Sequence, residues 1–270
     1  MNDAPAKVSA NEELAKQIKE LSPWHMGIQI NDELNTGMVI AENGEIVVRE
    51  DDKNDGISLL QLRNGFLRQI DAVYPDGVSD KTFLDCACNA GGYGFWLRER
   101  GLKHGVGFDV REHWIKQALF VQKHRTSGPT DQLDFQVADL YDLPKLNLEP
   151  ADITMFKGIF YHLPDPITGM KLAADLTKEH FILNTSIVWG EEDGYMKYGI
   201  ESRELLMSGV HGLRWFPTGP KVLAQTLKWM GFEQTKLLFC IQIDKANEGR
   251  VEIHASRTKG FLDNLPGEYI

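Results

Sequence analysis

The alternation of short apolar strands with helical stretches, which begins at Lys81, most constrains the fold of this chain. The pattern predicts strands at residues 82–87, 105–109, 133–138, 152–156, 180–185, 235–243 and 250–256. Helical stretches fall between them at residues 92–100, 112–124, 167–176 and 220–230. This alternation is typical of a parallel sheet that is covered by helices on both faces. Because the short turn KANEG joins the last two strands, we expect those two to pair antiparallel.

A turn of small residues follows the first predicted strand, in the segment TFLDCACNAGGYGFWLRERG. Small side chains let the backbone pass close to a ligand, and the free N–H groups at the start of the next helix attract anionic or hydrogen-bonding groups. Asp109 ends the second predicted strand, where a carboxylate accepts hydrogen bonds from both ribose hydroxyls of a nucleoside. Taken alone, Asp85 is equally a turn or capping carboxylate and Asp109 a solvated strand end. Together with the turn they predict a nucleotide site.

The run LDCACNAGGYGFWL resembles the first motif of the class I S-adenosylmethionine-dependent methyltransferases, in the branch that reads L-D-x-G-C-N-x-G-G. The resemblance continues through GFDVREHWIKQA, VADLYDLP and FKGIFYHLPDP and covers residues 81–256. This branch includes tRNA wobble-uridine carboxymethyltransferases and related small-molecule methyltransferases. The resemblance implies an α/β, Rossmann-like methyltransferase fold with a mostly parallel seven-stranded sheet, an antiparallel last strand and helices on both faces.

The resemblance also implies which residues surround S-adenosylmethionine and its product S-adenosylhomocysteine. The loop after the first strand would lie near the methionine part, Asp109 at the ribose, and Asp139 with Leu140 at the adenine. Lys157 and Gly158 would line the face from which the methyl group leaves. Ala87 stands where the family usually has a glycine. The implied cofactor-binding set is Asp85, Ala87, Cys88, Asn89, Gly91, Asp109, Val110, Asp139, Leu140, Lys157 and Gly158.

His162, in GIFYHLPDP, follows the fourth strand at the carboxyl edge of the sheet, where ligands bind in such folds. An imidazole that titrates near neutral pH is suited to accept a proton from a hydroxyl nucleophile, whereas an amine mainly needs to arrive unprotonated. The sequence therefore predicts His162 and Tyr161 as catalytic residues. Two structural interpretations stay open, in which His162 holds the loop 161–166 and Tyr161 forms a wall of the pocket.

Two further segments are predicted to cover the site. Residues 188–218 form an insertion after the fifth strand, a position that overhangs the active site and predicts a substrate lid. Its candidate substrate contacts are Trp189, Tyr195, Tyr198, Arg203, His211, Arg214 and Trp215. The extension of residues 1–80, with helices expected at 11–21 and 57–74, contains PWHMGIQIND, which resembles a segment that folds over the cofactor in relatives of this branch. Trp24 and His25 are therefore candidates as well. Residues 81–258 would form the catalytic domain and residues 259–270 a tail.

Composition narrows the class of partner. The 29 basic and 39 acidic residues give a formal charge of −10, which favours a small-molecule substrate over a nucleic-acid backbone. No apolar run approaches the roughly 20 residues of a membrane-spanning helix. Three cysteines form no disulfide framework, so we expect a reducing cytoplasm. A C-x-C pair such as Cys86 and Cys88 is by itself weak evidence for a metal ion, and no metal site is predicted.

Several functions fit the sequence. The main hypothesis is methyl transfer by in-line displacement to an O or N nucleophile of a small molecule. The alternative is alkyl transfer to tRNA, since YHLPDP and WFP resemble the wobble-uridine enzymes, although no convincing basic tract is present. A nicotinamide-dependent oxidoreductase is disfavoured by the departure from G-x-G-x-x-G, and a non-catalytic cofactor-binding partner stays open. Monomer and homodimer fit the sequence equally well.

Overall fold

The computed structural model describes residues 10–40, 46–48, 59–244 and 247–270. Within these residues the helices are α1 (Ala10–Glu20), α2 (Leu59–Val73), α3 (Gly92–Glu99), α4 (Glu112–His124), α5 (Pro166–Asp175) and α6 (Pro220–Trp229). The strands are β1 (Met38–Ile40), β2 (Ile46–Val48), β3 (Thr82–Cys86), β4 (His104–Asp109), β5 (Leu133–Val137), β6 (Ala151–Lys157), β7 (Thr177–Val188), β8 (Met196–Ile200), β9 (Leu213–Pro217), β10 (Gln234–Asp244), β11 (Glu248–Ser256) and β12 (Glu268–Tyr269).

The main sheet has the order β12-β10-β11-β7-β6-β3-β4-β5. Strands β3, β4, β5, β6 and β7 run parallel to one another, whereas β11 is antiparallel to both β7 and β10. The predicted mostly parallel sheet with an antiparallel hairpin is therefore confirmed. The sheet has eight strands rather than seven, because the segment predicted as a tail adds β12 beside β10. A strand of two residues is too short to produce a periodic pattern in the sequence.

Side chains that alternate along each central strand explain why both faces carry helices. In β3, Phe83 packs in a core cluster with α1, α2, α3 and α4, while Leu84 packs in a second cluster with α5 and α6. In β7, Ile182 belongs to the first of these clusters and Phe181 to the second. A strand that is buried on both faces reads as a continuous apolar run, as β7 does over FIL.

The starts of two helices follow from local sequence. Asp165 precedes α5 and its side chain accepts a hydrogen bond from the N–H of Thr168 (3.1 Å), while Pro166 occupies the first turn. Pro220 begins α6 in the same manner after Gly219. These signals, LPDP and TGP, place both helices directly after segments that approach the carboxyl edge of the sheet.

The chain on either side of this sheet adds two further parts. Residues of the N-terminal segment, including Ile28, Ile30 and Leu34, are fully buried in the same cluster as α1 to α4. The insertion after β7 forms a separate two-stranded antiparallel ribbon of β8 and β9. Between these strands lies a segment that we call the roof loop, residues 201–212.

Candidate active site

A cleft of about 590 Å³ opens at the carboxyl ends of β3, β4 and β6. This is the place in the sheet where the chain order reverses, with β4 and β5 on one side of β3 and β6 and β7 on the other. Ligands of open parallel sheets bind at such a switch point, and the volume falls in the usual range for small-molecule sites. All predicted cofactor-binding residues except Gly91 line the cleft.

The loop after β3 turns sharply through left-handed backbone conformations. Ala87 has φ 63° and Asn89 has φ 51°, a region that side chains with a Cβ disfavour. This explains why relatives place glycine at the position of Ala87. The turn brings the N–H of Cys88 within 2.9 Å of the carbonyl oxygen of Phe108, so the loop packs against the end of β4.

Asp109 joins this loop to the end of β4. Its Oδ2 accepts a hydrogen bond from the N–H of Asn89 (3.1 Å), and its Oδ1 accepts one from the N–H of Arg111 (3.0 Å). Burial raises the pKa of Asp109, and these backbone N–H groups offset part of that rise. A carboxylate can accept about four hydrogen bonds, so the side chain keeps acceptor capacity on the cleft wall.

Asp85 ends β3 inside the cleft and is only 4% exposed. Its Oδ2 is buried without a hydrogen-bond partner among the described residues. Burial, reinforced by the charge of Asp109 and opposed by that of Lys157, raises the pKa of Asp85 to about 8. An unpaired buried carboxyl group is costly for a folded protein, and this one faces the cleft.

Gly91 does not line the cleft, so its assignment as a cofactor contact stays a prediction. It precedes α3 with φ 78°, and a Cβ at this position would come within 2.6 Å of the ring of Phe135. Glycine is needed here so that the start of α3 can pack closely against β5.

The roof loop covers part of the cleft with residues 206–211. Two histidine–carboxylate contacts hold it there, because His211 Nε2 lies 3.0 Å from Asp139 Oδ2 and Glu201 contacts His162. Asp139 also accepts a hydrogen bond from the N–H of Tyr141 (3.0 Å). The loop therefore contacts both the predicted adenine residue and the predicted base.

His162 and Tyr161 both line the cleft, in a short 3-10 helix of residues Phe160–His162. His162 Nδ1 lies 2.7 Å from Oε1 and 2.9 Å from Oε2 of Glu201. Burial would raise the pKa of Glu201, but the hydrogen bond and charge of His162 and the N–H of Gly209 hold it below its ordinary value. An ionised carboxylate that binds one ring nitrogen orients the imidazole and fixes its tautomer. Tyr161 stacks on Phe216 at 5.6 Å, which supports a role as a wall.

Buried polar side chains from the last hairpin also face the cleft. Glu252 Oε2 lies 3.3 Å from Lys157 Nζ and accepts a hydrogen bond from Asn184 Nδ2 (2.7 Å). Burial alone would lower the pKa of Lys157, but the carboxylate of Glu252 beside it raises it, so the ammonium stays protonated. Arg250 donates to Asn184 Oδ1 (3.1 Å), and no carboxylate of the described residues lies within ion-pair distance of it. Its Nε is buried without a partner among those residues.

Most of the predicted substrate contacts lie elsewhere. His25 and His211 line the cleft, but Trp24 does not. Trp24 is buried in the first core cluster and donates its indole N–H to the carbonyl oxygen of Ile18 (2.7 Å). The predicted contacts of the insertion that do not line the cleft are Trp189, Tyr195, Tyr198, Arg203, Arg214 and Trp215.

Local contacts explain why three of these six residues lie outside the cleft. Tyr198 packs on Trp215 (4.9 Å between ring centroids), and Trp215 donates its N–H to Pro164 O (3.0 Å). Arg203 donates to the carbonyl oxygen of His211 (3.1 Å) within the roof loop itself. Aromatic and basic residues in this insertion thus mainly stabilise the ribbon. The sequence pattern did not distinguish these two roles.

Sequence reasoning missed several residues of the cleft. Arg111, Asn184 and the charged residues of β11 line the cleft without a local motif that signals a ligand. The same holds for Glu201, which contacts His162. The spacing of VREH, with Arg111 two residues after Asp109, is the one signal that could have indicated Arg111. Helix α2 also lines the cleft, through Leu62, Gly65, Phe66 and Gln69, and the sequence predicted the helix but no site residue on it.

The described ranges contain neither a metal-binding cluster nor a membrane-spanning helix. No group of three or more His, Cys, Asp or Glu side chains in them is arranged to hold a metal ion. Cys86 and Cys88 are buried, which raises the pKa of each thiol well above its ordinary value. No helix of that part of the chain is long and apolar enough to cross a membrane.

Comparison with known proteins agrees with this geometry. Residues 78–202 match a family model described as "Methyltransferase domain". A tRNA U34 carboxymethyltransferase of Aliarcobacter butzleri (strain RM4018) is 28% identical over 164 residues, which cover 60% of this chain and 50% of that protein. One from Nautilia profundicola is 30% identical over 118 residues, covering 43% and 38%. The chain spans about half the length of the curated relatives it matches first.

Solved structures share the fold at low sequence identity. The N-terminal domain of EvdMO1, crystallised in the presence of S-adenosylhomocysteine and D-fucose, superposes with a TM-score of 0.69 at 19% identity, covering 94% of this chain and 99% of that one. A putative sarcosine dimethylglycine methyltransferase from Galdieria sulphuraria gives a TM-score of 0.55 at 10% identity, covering 91% and 98%. The sequence match over residues 78–202 and the shared fold therefore agree with the methyltransferase resemblance of the sequence motifs.

Proposed function

We propose that this protein transfers a methyl group from S-adenosylmethionine to a hydroxyl group of a small molecule, with His162 as the general base. The observation that carries the proposal is the contact of Glu201 with His162, a residue on the wall of the cleft that Asp85 and Asp109 also line. When bound, S-adenosylmethionine supplies an electrophilic methyl group that is displaced in line. The side chains of this chain then need to bind, orient and deprotonate.

The residues of the cleft fit this cofactor. Asp109 retains acceptor capacity for the ribose hydroxyls, and Asp139 with Leu140 lies where the adenine is expected. Asp85 has a buried, unpaired carboxyl oxygen, which suits the ammonium group at the methionine end. A methyl group at Gly158, which has φ 73°, would meet no atom within 4 Å, so the backbone there faces open space.

The His162–Glu201 pair favours a hydroxyl acceptor over an amine. A hydroxyl has to lose a proton as it attacks, whereas an amine attacks with its own lone pair. Glu201 binds Nδ1 of His162, and no described residue hydrogen-bonds Nε2. That ring nitrogen is therefore the one available to accept a proton, while Glu201 stabilises the imidazolium that forms.

Charge and enclosure favour a small acceptor. The chain has a formal charge of −10, and phosphate-binding proteins obtain most of their affinity from basic surfaces. The roof loop also contacts the protein on both sides of the cleft, through Asp139 and His162.

A second candidate function is carboxymethyl transfer to tRNA, the activity in the names of the relatives from Aliarcobacter butzleri and Nautilia profundicola. A carboxymethyl group carries a carboxylate, and a carboxylate in a buried site needs a cation. Arg250 is a cation in this cleft that has no carboxylate partner among the described residues. The unpaired Arg250 favours carboxymethyl transfer to tRNA, whereas the formal charge of −10 opposes binding of a nucleic acid.

A thermal-shift panel tests which cofactor the protein binds. We expect S-adenosylmethionine and S-adenosylhomocysteine to stabilise the protein and NAD and NADP to leave it unchanged. A ligand at 100 times its dissociation constant adds about 2.7 kcal/mol to the free energy of unfolding. Stabilisation by NAD alone would overturn the proposal.

Two comparisons separate the candidate functions. If the protein transfers a methyl group, Arg250→Met should keep its affinity for S-adenosylmethionine within a few-fold of the original protein. In that case the protein should also not retain RNA at low salt. For carboxymethyl transfer, the protein should prefer the carboxylated cofactor analogue, lose that preference in Arg250→Met, and retain tRNA in a strongly salt-dependent way. Lys228→Met, a change on α6 outside the cleft, is the matched control.

A further inference from the structure

The roof loop is fastened to the body of the protein by the side chain of Arg111. Nη2 of Arg111 donates to the carbonyl oxygens of Leu205 (2.8 Å), Ser208 (2.8 Å) and Arg203 (3.1 Å). Nε donates to the same Ser208 oxygen (3.3 Å). These bonds connect residues that are more than 90 positions apart in sequence, and all acceptors are backbone atoms of the loop. A planar guanidinium can serve several carbonyl groups at once, which a lysine ammonium cannot reproduce in the same geometry.

The loop that Arg111 holds is also the loop that orients His162. Glu201 begins it and binds His162 Nδ1, and the N–H of Gly209 donates to Glu201 Oε2 (2.9 Å). Gly209 packs directly on His162, because a Cβ added there would lie 2.5 Å from the carbonyl oxygen and 2.9 Å from the Cβ of His162. Ser208, which binds Arg111, immediately precedes Gly209. The fastening point and the histidine contact are therefore adjacent in the chain.

We propose that Arg111 is a positioning residue for the transfer step: it fixes residues 203–208, and so holds Glu201 and Gly209 against His162. This inference rests on the proposed role of His162 as the base. It assigns to Arg111 a role distinct from cofactor binding, although the residue lines the cleft. The hydrogen bond that connects Arg111 to Asp109 comes from the backbone N–H, so the side chain is not needed for it.

The backbone origin of that bond gives the proposal a sharp test. Arg111→Ala removes the contacts with the loop but keeps the N–H that donates to Asp109. We expect the dissociation constant of S-adenosylhomocysteine to change by less than about threefold, and kcat to fall roughly 10- to 100-fold, the size expected when a catalytic group is displaced by about 1 Å. Arg111→Lys should restore only part of kcat.

Hydrogen–deuterium exchange provides a readout that does not depend on turnover. In Arg111→Ala without cofactor, amide exchange should rise in residues 203–209 and stay unchanged in β3 and β4. Arg100→Ala, which breaks a surface ion pair with Asp71 (2.9 Å), is the control and should alter neither exchange in the loop nor kcat.

Gly209→Ala tests the same proposal at the contact between the roof loop and His162. The added methyl group pushes the loop away from His162, so kcat should fall while cofactor affinity is retained. Gly199→Ala, on β8, is the matched control, because the new Cβ meets only the flexible side chain of Arg214 at 3.3–3.5 Å.

The outcomes separate this inference from the proposed function. If Arg111→Ala keeps full kcat, or loses cofactor affinity as strongly as kcat, Arg111 is not a positioning residue. If exchange in residues 203–209 does not change, the loop is held by other contacts and the inference fails. If His162→Gln retains full turnover, the role of His162 as the base is wrong, whatever Arg111 does.

Discussion

Asp85→Asn should make the unliganded protein more stable at neutral pH and weaken its binding of the cofactor. The side chain is buried, has an unpaired oxygen and has a pKa raised from 3.8 to about 8. Asparagine has nearly the same shape but cannot ionise. The substitution therefore removes the destabilising ionisation equilibrium and keeps the packing of β3.

The magnitude follows from the proton balance between the folded and unfolded states. Between pH 4 and pH 8 the unfolded chain has released the proton of Asp85 while the folded protein retains it, so the stability conferred by this group falls as pH rises. From 3.8 to pH 7 the interval is roughly 3 pH units, and each unit is worth about 1.4 kcal/mol. The upper bound at pH 7 is therefore about 4 kcal/mol, reduced by any water that reaches the cleft.

Urea denaturation of both proteins at pH 5 and pH 7.5 measures this effect. Asp85→Asn should exceed the original protein in free energy of unfolding at pH 7.5, and the difference should shrink at pH 5. Asp76→Asn, in an exposed turn, is the control and should show no such pH dependence. A variant that is no more stable than the original at pH 7.5, or a difference that is equal at both pH values, would refute the reasoning.

Three further predictions concern the cleft. Asp109→Asn should weaken binding of S-adenosylhomocysteine roughly 10- to 100-fold in calorimetric titration, because hydrogen bonds to a charged group contribute about 1.5–3 kcal/mol; unchanged affinity would remove its role at the ribose. His162→Gln should lower kcat by roughly 100-fold or more with unchanged cofactor affinity, and Glu201→Gln should lower it less; equal loss of affinity in a binding titration would argue against a base. Glu252→Gln leaves the Lys157 ammonium without its counter-charge and should lower the free energy of unfolding by roughly 3 kcal/mol in urea denaturation, whereas unchanged stability would show that the pair contributes nothing.

The sequence predicted the sheet and the position of Asp85 and Asp109 at one edge of it because both depend on local signals. Strand β3 and the turn that follows it lie within one continuous segment, and the strand-end position of Asp109 follows from the period of the alternation. Parallel strands place such ends at one edge, so proximity of Asp85 and Asp109 could be inferred without coordinates. Ala87, which departs from the family pattern, still adopts the left-handed turn.

The acceptor side was less predictable because its contacts join distant parts of the chain. Glu201 meets His162 across 39 positions and Arg111 meets Ser208 across 97, and neither pairing leaves a periodic trace in the sequence. Tyr198 and Trp215 illustrate the opposite error, since aromatic residues in an insertion favour a binding surface as much as a packed ribbon. Their ring contact within the ribbon settles where they lie.

A crystal structure with S-adenosylhomocysteine tests the central claim most directly, namely that Asp109 and the loop after β3 bind the same adenosyl group. The ribose hydroxyls should lie within hydrogen-bond distance of the Asp109 carboxylate, with the adenine beside Asp139 and Leu140. A ligand bound elsewhere on the protein, or an Asp109 carboxylate that does not contact the ribose, would contradict the account.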